Sequence, residues 1–348
     1  MGMTRAEIVA LLQTEGRQRR QLWQAADEAR RSQMGDGVHL RALLEFSSYC
    51  RRRCHYCGLR VDNARQPRFR METEEIVAVA CSAQALGYKT VVLQSGEDPY
   101  YDIDTLADIV GRIKSGSDVA VTLSCGEFTL NGYQRLWEAG TDRYLLRHET
   151  ANPRLYDELH PDSHFSARIG ALRELREVGF QVGAGFMVGL PGQTIEDLAD
   201  DILLLRALDV EMAGIGPFIP HPETPLASAS RANDPAGSQL KLTISAIAVA
   251  RLAVPLVHLP ATTALGALDP LGRQMALQAG ANVLMPNITP AKYRPKYQLY
   301  PGKICTDEEP AQCRACVEGI IGGLGRSIAP GYGHSPKLKD SGGRESNV

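Results

Sequence analysis

Residues 40–60 read LRALLEFSSYCRRRCHYCGLR, a strand-like apolar run that passes straight into a loop carrying three cysteines. Arg41, Leu43 and Glu45 alternate with Ala42 and Leu44, so the three share one face if the run is extended. The loop places Cys50, Cys54 and Cys57 in the pattern C-x3-C-x2-C, with Arg51, Arg52 and Arg53 in the first gap. A strand ending in a chemically loaded loop is the repeating unit of parallel α/β folds, and here the unit recurs. Further apolar runs are TVVLQ (90–94), VAVTLS (119–124), RYLLRH (143–148), QVGAGFMV (181–188), MAGIGPFI (212–219), LVHLPAT (256–262) and ANVLMP (281–286).

Between the runs lie segments of helical spacing, among them METEEIVAVACSAQALG and ARIGALRELREVG, which stop at Gly87 and Gly179. Thr194 can cap a helix near 195–207, with Glu196 and Asp197 in its positive first turn. Eight strand-like runs alternating with helices predict an α/β fold, a (β/α)8 TIM-type barrel of parallel strands; a doubly wound open sheet is the alternative. Residues 1–36 read as an N-terminal helical extension, 37–300 as the barrel, and 301–348 as a C-terminal segment with a second cysteine set. Its end, SGGRESNV, reads as disordered. In a barrel the active residues sit in the loops after the strands. SGEDPYY, CGEF, HET, VGLPGQT, IPHPETP, TTALGA and NITPAKY all fall there.

A formal net charge of -2 argues against nucleic-acid binding by bulk electrostatics. No apolar run approaches membrane-spanning length, and the first twenty residues lack a signal-peptide core, so the expectation is a cytoplasmic protein. Eight cysteines there suggest metal ligands, redox thiols or buried small hydrophobes rather than disulfides.

Three thiolates in one loop can hold three irons of a 4Fe-4S cluster and leave the fourth open to another ligand. A closed zinc site needs four protein ligands, and His55 is the only local candidate; because it directly follows Cys54, it is a strained one. Cys305, Cys313 and Cys316 form C-x7-C-x2-C near the C-terminus, a spacing open to a second iron–sulfur cluster or to zinc. Cys81 reads as core filler. Cys125 falls on the active rim, within reach of a bound ligand. Arg51–Arg53 could balance cluster charge, dock a reductase, or form a solvated loop face.

C-x3-C-x2-C after the first barrel strand resembles the signature of radical S-adenosylmethionine (SAM) enzymes, which bind SAM at the open iron and cleave it to a 5′-deoxyadenosyl radical. QSGEDPYY (94–101), DRYLLRHETANP (142–153), MVGLPGQT (187–194), GIGPFIPHPETPLA (214–227), PATTALG (260–266) and KYQLYPGKIC (296–305) resemble the HydE family of FeFe-hydrogenase maturases more closely. Biotin synthase and methylornithine synthase share the barrel and triad without matching these stretches as well. An amino-acid mutase or sulfur-inserting radical SAM enzyme is therefore the alternative, and a zinc-stabilised binding protein without turnover the third reading.

The resemblance implies that Ser95, Gly96 and Glu97 meet the SAM amino group, Glu149 its ribose, and Arg168 its carboxylate. Arginine suits the last task because its planar fork binds carboxylates bidentately. Tyr56, Met187 and Ile219 would lie against adenine. Arg41, Arg143 and Arg147 sit at inward parity, which suits an anionic substrate, and Gln94, Thr262, Thr263, Tyr297 and Tyr300 would add hydrogen bonds. The implied substrate is a cysteine-ligated iron carbonyl cyanide complex on the route to the hydrogenase diiron site. The implied partners are other hydrogenase maturases and an electron donor such as flavodoxin or ferredoxin. The chemistry belongs to the cofactor, and no side chain stands out as its acid or base.

Overall fold

Runs of apolar residues buried on both faces make the parallel strands. The computed structural model describes residues 2–228 and 237–340; the end expected to be disordered, 341–348, lies outside the described residues. The strands are β1 (Gly37–Leu40), β2 (Ala42–Ser47), β3 (Thr90–Ser95), β4 (Ala120–Ser124), β5 (Arg143–Leu145), β6 (Gln181–Val188), β7 (Met212–Pro217), β8 (Val283–Leu284) and β9 (Ser327–Ile328). β2 to β7 pair in chain order as one parallel sheet, and β1 lies between β8 and β9 in a second. Every residue of β2 and β6 is buried, as expected of strands with the core inside and helices outside.

The ring closes through bridges rather than full strands. Met212 pairs with His258, Pro260 with Val283, and Leu43 with Asn287. The run 256–262 was expected to be a strand, yet it contributes only these bridges. Pro260 has no N–H to give a ladder, and Pro255 stands just upstream. The first run differs too, since Arg41 interrupts it and divides β1 from β2. Together these elements make the α/β, TIM-type barrel that the strand rhythm predicts.

The helix ends follow the sequence signals. Gly87 and Gly179 adopt left-handed φ of 76° and 110° after their helices. Thr194 caps Ile195–Ala207 in a capping box with Asp197. The N-terminal helices Arg5–Leu12 and Gly16–Met34 lie against the barrel's own helices, with Arg5 paired to Asp200 at 2.6 Å and Trp23 Nε1 donating to Ser245 at 3.1 Å. No described helix is long and apolar enough to cross a membrane.

The far C-terminal segment was not anticipated as part of the barrel. β9 pairs with β1, and the chain after it crosses the N-terminal ends of the strands, forming a floor. Arg143 donates to the Tyr332 carbonyl at 2.7 Å and lies 3.0 Å from His334 Nδ1. Arg41 donates to the Gly333 carbonyl at 3.2 Å, and His258 Nε2 lies 3.2 Å from the His334 carbonyl.

Candidate active site at the barrel rim

The cysteine loop is clipped to the loop after β3. Ser47 Oγ donates to Asp98 at 2.6 Å, and the Arg51 N–H donates to the Glu97 carbonyl at 2.9 Å. Gly96 permits this approach, because a Cβ there would stand 2.1 Å from the Tyr49 carbonyl oxygen and 2.7 Å from Cys50 Cβ. Cys50 Sγ accepts the N–H groups of Arg52 and Glu97, each at 3.4 Å.

All three loop cysteines are half-buried. Burial pushes the Cys50 thiol up and the Cys57 thiol up to about 12, and raises Cys54 further, with the neighbouring cysteines adding to both. Ionising all three would require positive charge among them, which bound iron supplies. Among the described residues, only Cys305, Glu308 and Cys313 bring three ligand atoms within 4.8 Å of one another. The three loop thiols therefore do not all lie within 4.8 Å of one another, whereas thiolates on one tetrahedral zinc stand roughly 3.8 Å apart, given a Zn–S bond of about 2.3 Å. The donor set fits a cluster with one iron left open, and it does not fit a single zinc ion.

The arginines of the loop form a charge ladder. Glu97 accepts Arg51 Nε at 2.7 Å and Arg52 Nε at 2.9 Å. Arg52 also binds Glu127 at 2.8 Å, and Glu127 in turn takes Arg168 Nε at 2.6 Å. Arg168 further donates to the Arg147 carbonyl at 2.6 Å. Glu97 and Arg168 are thus brought together, though each already has protein partners. The hub is Glu127, which the sequence reading quoted only within CGEF. Its signal was a carboxylate just after β4, next to a glycine with φ of 96° where a Cβ would strike Glu97. Arg53 stays apart from the ladder and exposed, with its N–H on Asp162.

Tyr56 and Met187 meet in a small apolar cluster with Leu155, Leu159, Leu190 and Phe218. Tyr56 also hydrogen-bonds His160 at 2.9 Å. Ile219 is buried outside this cluster, next to its member Phe218. Glu149 sits beside the site with φ of 63°, a conformation a non-glycine residue holds only under structural constraint. Its Oε2 lies 3.2 Å from Arg147 Nη2 without hydrogen-bond alignment. Both atoms, and Thr262 Oγ1, are buried without hydrogen-bond partners.

Thr263 and Tyr300 hydrogen-bond each other at 2.9 Å, while Tyr297 is buried and Gln94 half-buried at the end of β3. Glu45, paired in register with Gln94, carries a buried ion pair with Lys303 at 2.5 Å. Lys303 lies inside the quoted KYQLYPGKIC yet was not singled out.

The three arginines expected on the substrate face divide by height. Arg147 reaches the rim beside Glu149, whereas Arg41 and Arg143 lie at the strands' N-terminal ends, bonded to the floor. Alternation along a strand reports which way a side chain faces, and says nothing of its height on the barrel axis. Cys125 directly follows β4 (Ala120–Ser124). Its thiol is buried 3.6 Å from the Tyr144 hydroxyl, and burial pushes it up to about 12.

In the second cysteine set, Cys305 and Cys313 converge with Glu308, and Cys316 stands exposed. The hydrogen bond between Cys305 and Cys313, joined by the charge of buried Arg294, draws Cys313 down to about 6. Glu308 went unnoticed in the sequence because a lone carboxylate between cysteines carries no spacing rule.

The profile of the radical SAM superfamily matches residues 44–205. The chain is 53% identical over 312 residues to the [FeFe] hydrogenase maturase subunit HydE of Thermotoga maritima, covering 90% of this chain and 88% of that protein. The crystal structure of methylornithine synthase (PylB) superposes with a TM-score of 0.79 at 26% identity, covering 95% of each chain. The fold is also that of the FeFe-hydrogenase maturase HydG from Carboxydothermus hydrogenoformans, with a TM-score of 0.76 at 22% identity, covering 92% of this chain and 75% of that one.

Proposed function

The chain belongs to the radical SAM superfamily, within its HydE family of hydrogenase maturases; from that premise we propose how its own residues serve the reaction. Cys50, Cys54 and Cys57 would hold a 4Fe-4S cluster. A cluster held there would supply the single electron that reductive cleavage of SAM requires. Ser95, Gly96 and Glu97 would receive the amino group of SAM, and Glu149 its ribose. The apolar cluster of Tyr56, Met187 and Phe218 would cover adenine, with Ile219 behind it. Arg168 would approach the SAM carboxylate while held by Glu127.

The substrate we assign is a small anionic iron complex bound to cysteine, received by Arg147, Gln94, Thr262, Thr263, Tyr297 and Tyr300. Arg41 and Arg143 would contribute a positive field from below rather than direct contact. In this reading residues 37–300 form the catalytic barrel, 1–36 a helical extension, and 301–348 carry the second metal site. An electron donor such as flavodoxin or ferredoxin and the other hydrogenase maturases would be its partners. A reducing cytoplasm suits eight free thiols.

The observation that carries the proposal is the rim itself. Half-buried thiols share the rim with partnerless buried polar atoms on Glu149, Arg147 and Thr262. Those atoms call for a polar ligand, since a buried group without a hydrogen bond is costly. Anaerobic reconstitution, reduction with SAM and assay of 5′-deoxyadenosine and hydrogenase maturation test it, beside Cys54→Ala. Normal maturation by that variant would sink the proposal. The likeness to methylornithine synthase favours an amino-acid mutase as second reading, with biotin-synthase-type sulfur insertion beside it. Product analysis with candidate amino acids separates these from the first.

A further inference from the structure

Asp201 lies in the helix Ile195–Ala207 with its carboxylate fully buried. Among the described residues its nearest basic side chain is His148, itself fully buried, with Nε2 at 3.3 Å but outside hydrogen-bond alignment. Gly185 donates its N–H to His148 Nδ1 at 3.3 Å, which leaves the ring proton on Nε2, facing Asp201. Burial holds His148 near 3, so the ring is neutral. The carboxylate also accepts the Ala151 N–H at 2.5 Å and Gln193 Nε2 at 3.4 Å.

These contacts fall on both sides of Glu149. His148 precedes it and Ala151 follows two residues on, and Glu149 is the residue held at φ of 63°. The Glu149 backbone is itself stitched to the next strand, its N–H on the Gly185 carbonyl and its carbonyl on the Met187 N–H, at 2.9 and 3.0 Å. Gln193 extends the bracket. Its Oε1 accepts Gly189 and Leu190 at 2.8 and 3.2 Å, and its Nε2 donates to the Met187 carbonyl at 2.9 Å. One carboxylate therefore ties down the turn that presents Glu149 and, through Gln193, the end of β6 that carries Met187.

We infer that Asp201 is a positioning residue of the cosubstrate pocket, acting through its hydrogen bonds from Ala151 and Gln193, with His148 packed against it, to hold Glu149 in its left-handed conformation. The inference rests on the assignment of that pocket to SAM. A buried carboxylate is retained at a cost unless its hydrogen bonds do something a hydrophobe could not. Here they hold a backbone turn that glycine would favour, at a position where a carboxylate side chain is wanted.

The test is titration of S-adenosylhomocysteine into the cluster-loaded protein, with iron content and melting temperature measured on each variant. Asp201→Asn puts an amide where donors converge, and about tenfold weaker binding is expected with iron content unchanged. Combined with Glu149→Gln it should add little to the loss from Glu149→Gln alone, because both act at one carboxylate. Gln193→Ala, at a half-buried position, should weaken binding by a few fold in a folded protein, so the inference does not hang on one variant. Wild-type affinity in Asp201→Asn, or full additivity with Glu149→Gln, would overturn the inference and leave the pocket assignment standing. No binding by the wild-type protein would overturn both.

Discussion

The rim and the floor of this barrel both carry arginines, half-buried at the rim and buried at the floor, yet only one is finished. At the floor, Arg41 and Arg143 donate to the carbonyls of Gly333 and Tyr332, and Arg143 reaches Thr90 and His334 as well. Of their guanidinium nitrogens only the Nε atoms lack partners. At the rim, Arg147 faces Glu149 without an aligned hydrogen bond, and Thr262 faces nothing. The same residue type is a brace in one place and a candidate ligand in the other. What separates them is whether the chain itself supplies the acceptor. Unmatched polar atoms therefore mark a binding site better than arginines do.

The contrast is broken most severely at the rim. Cys57→Ala removes one of three thiols, and 5′-deoxyadenosine formation should fall by more than about a thousandfold, with the iron absorbance lost. A chromatographic product assay under reducing conditions measures this, and turnover near the wild-type rate would refute the rim reading.

At the floor the corresponding experiment is a stability measurement. Arg143→Met should destabilise the fold by about 2–3 kcal/mol, because the Tyr332 carbonyl and Thr90 are left buried with fewer donors. Denaturant unfolding measures it. An unchanged midpoint alongside lost substrate affinity would make Arg143 a ligand after all.

A smaller effect distinguishes the floor by pH. Burial, followed by the charge of nearby arginines, lowers His39 and His334 to about 4, and lowers His258 further. These rings are neutral when folded and protonate near 6.5 when unfolded. The unfolded state thus binds more protons between about pH 6.5 and 4. Stability is complete above that window and falls as pH drops through it, by at most about 1.4 kcal/mol per pH unit for each histidine. His334→Gln should flatten the slope of melting temperature against pH; an identical slope would exclude this histidine as a contributor.

The smallest effect is expected at the second cysteine set. Cys316 is exposed and outside the group formed by Cys305, Glu308 and Cys313. Cys316→Ser should leave 5′-deoxyadenosine formation within about twofold of wild type. A larger loss would tie this end of the chain to the chemistry at the rim.

The rhythm of apolar runs was enough to read the barrel, because strands buried on both faces cannot hide their composition. The cysteine loop was legible for a similar reason, since its three cysteines lie within eight consecutive residues and their spacing constrains what they could hold. Glu127, Lys303 and Asp201 were not singled out. Each acquires its importance from a partner far along the chain, as with Asp201 and Ala151, fifty residues apart. The bridge-only run 256–262 was hidden as well, since an apolar run does not reveal whether its neighbours leave room for a ladder.

By itself, then, the sequence determined the class of fold, the three-thiol centre and the family to which the chain belongs. These are local patterns, carried by periodicity and close spacing. Tertiary structure alone decided which arginines reach the rim, which carboxylates join the ladder, and that the last part of the chain closes the floor. Those outcomes depend on height along the barrel axis and on contacts between distant segments. Neither quantity is written in the alternation of side chains along a single strand.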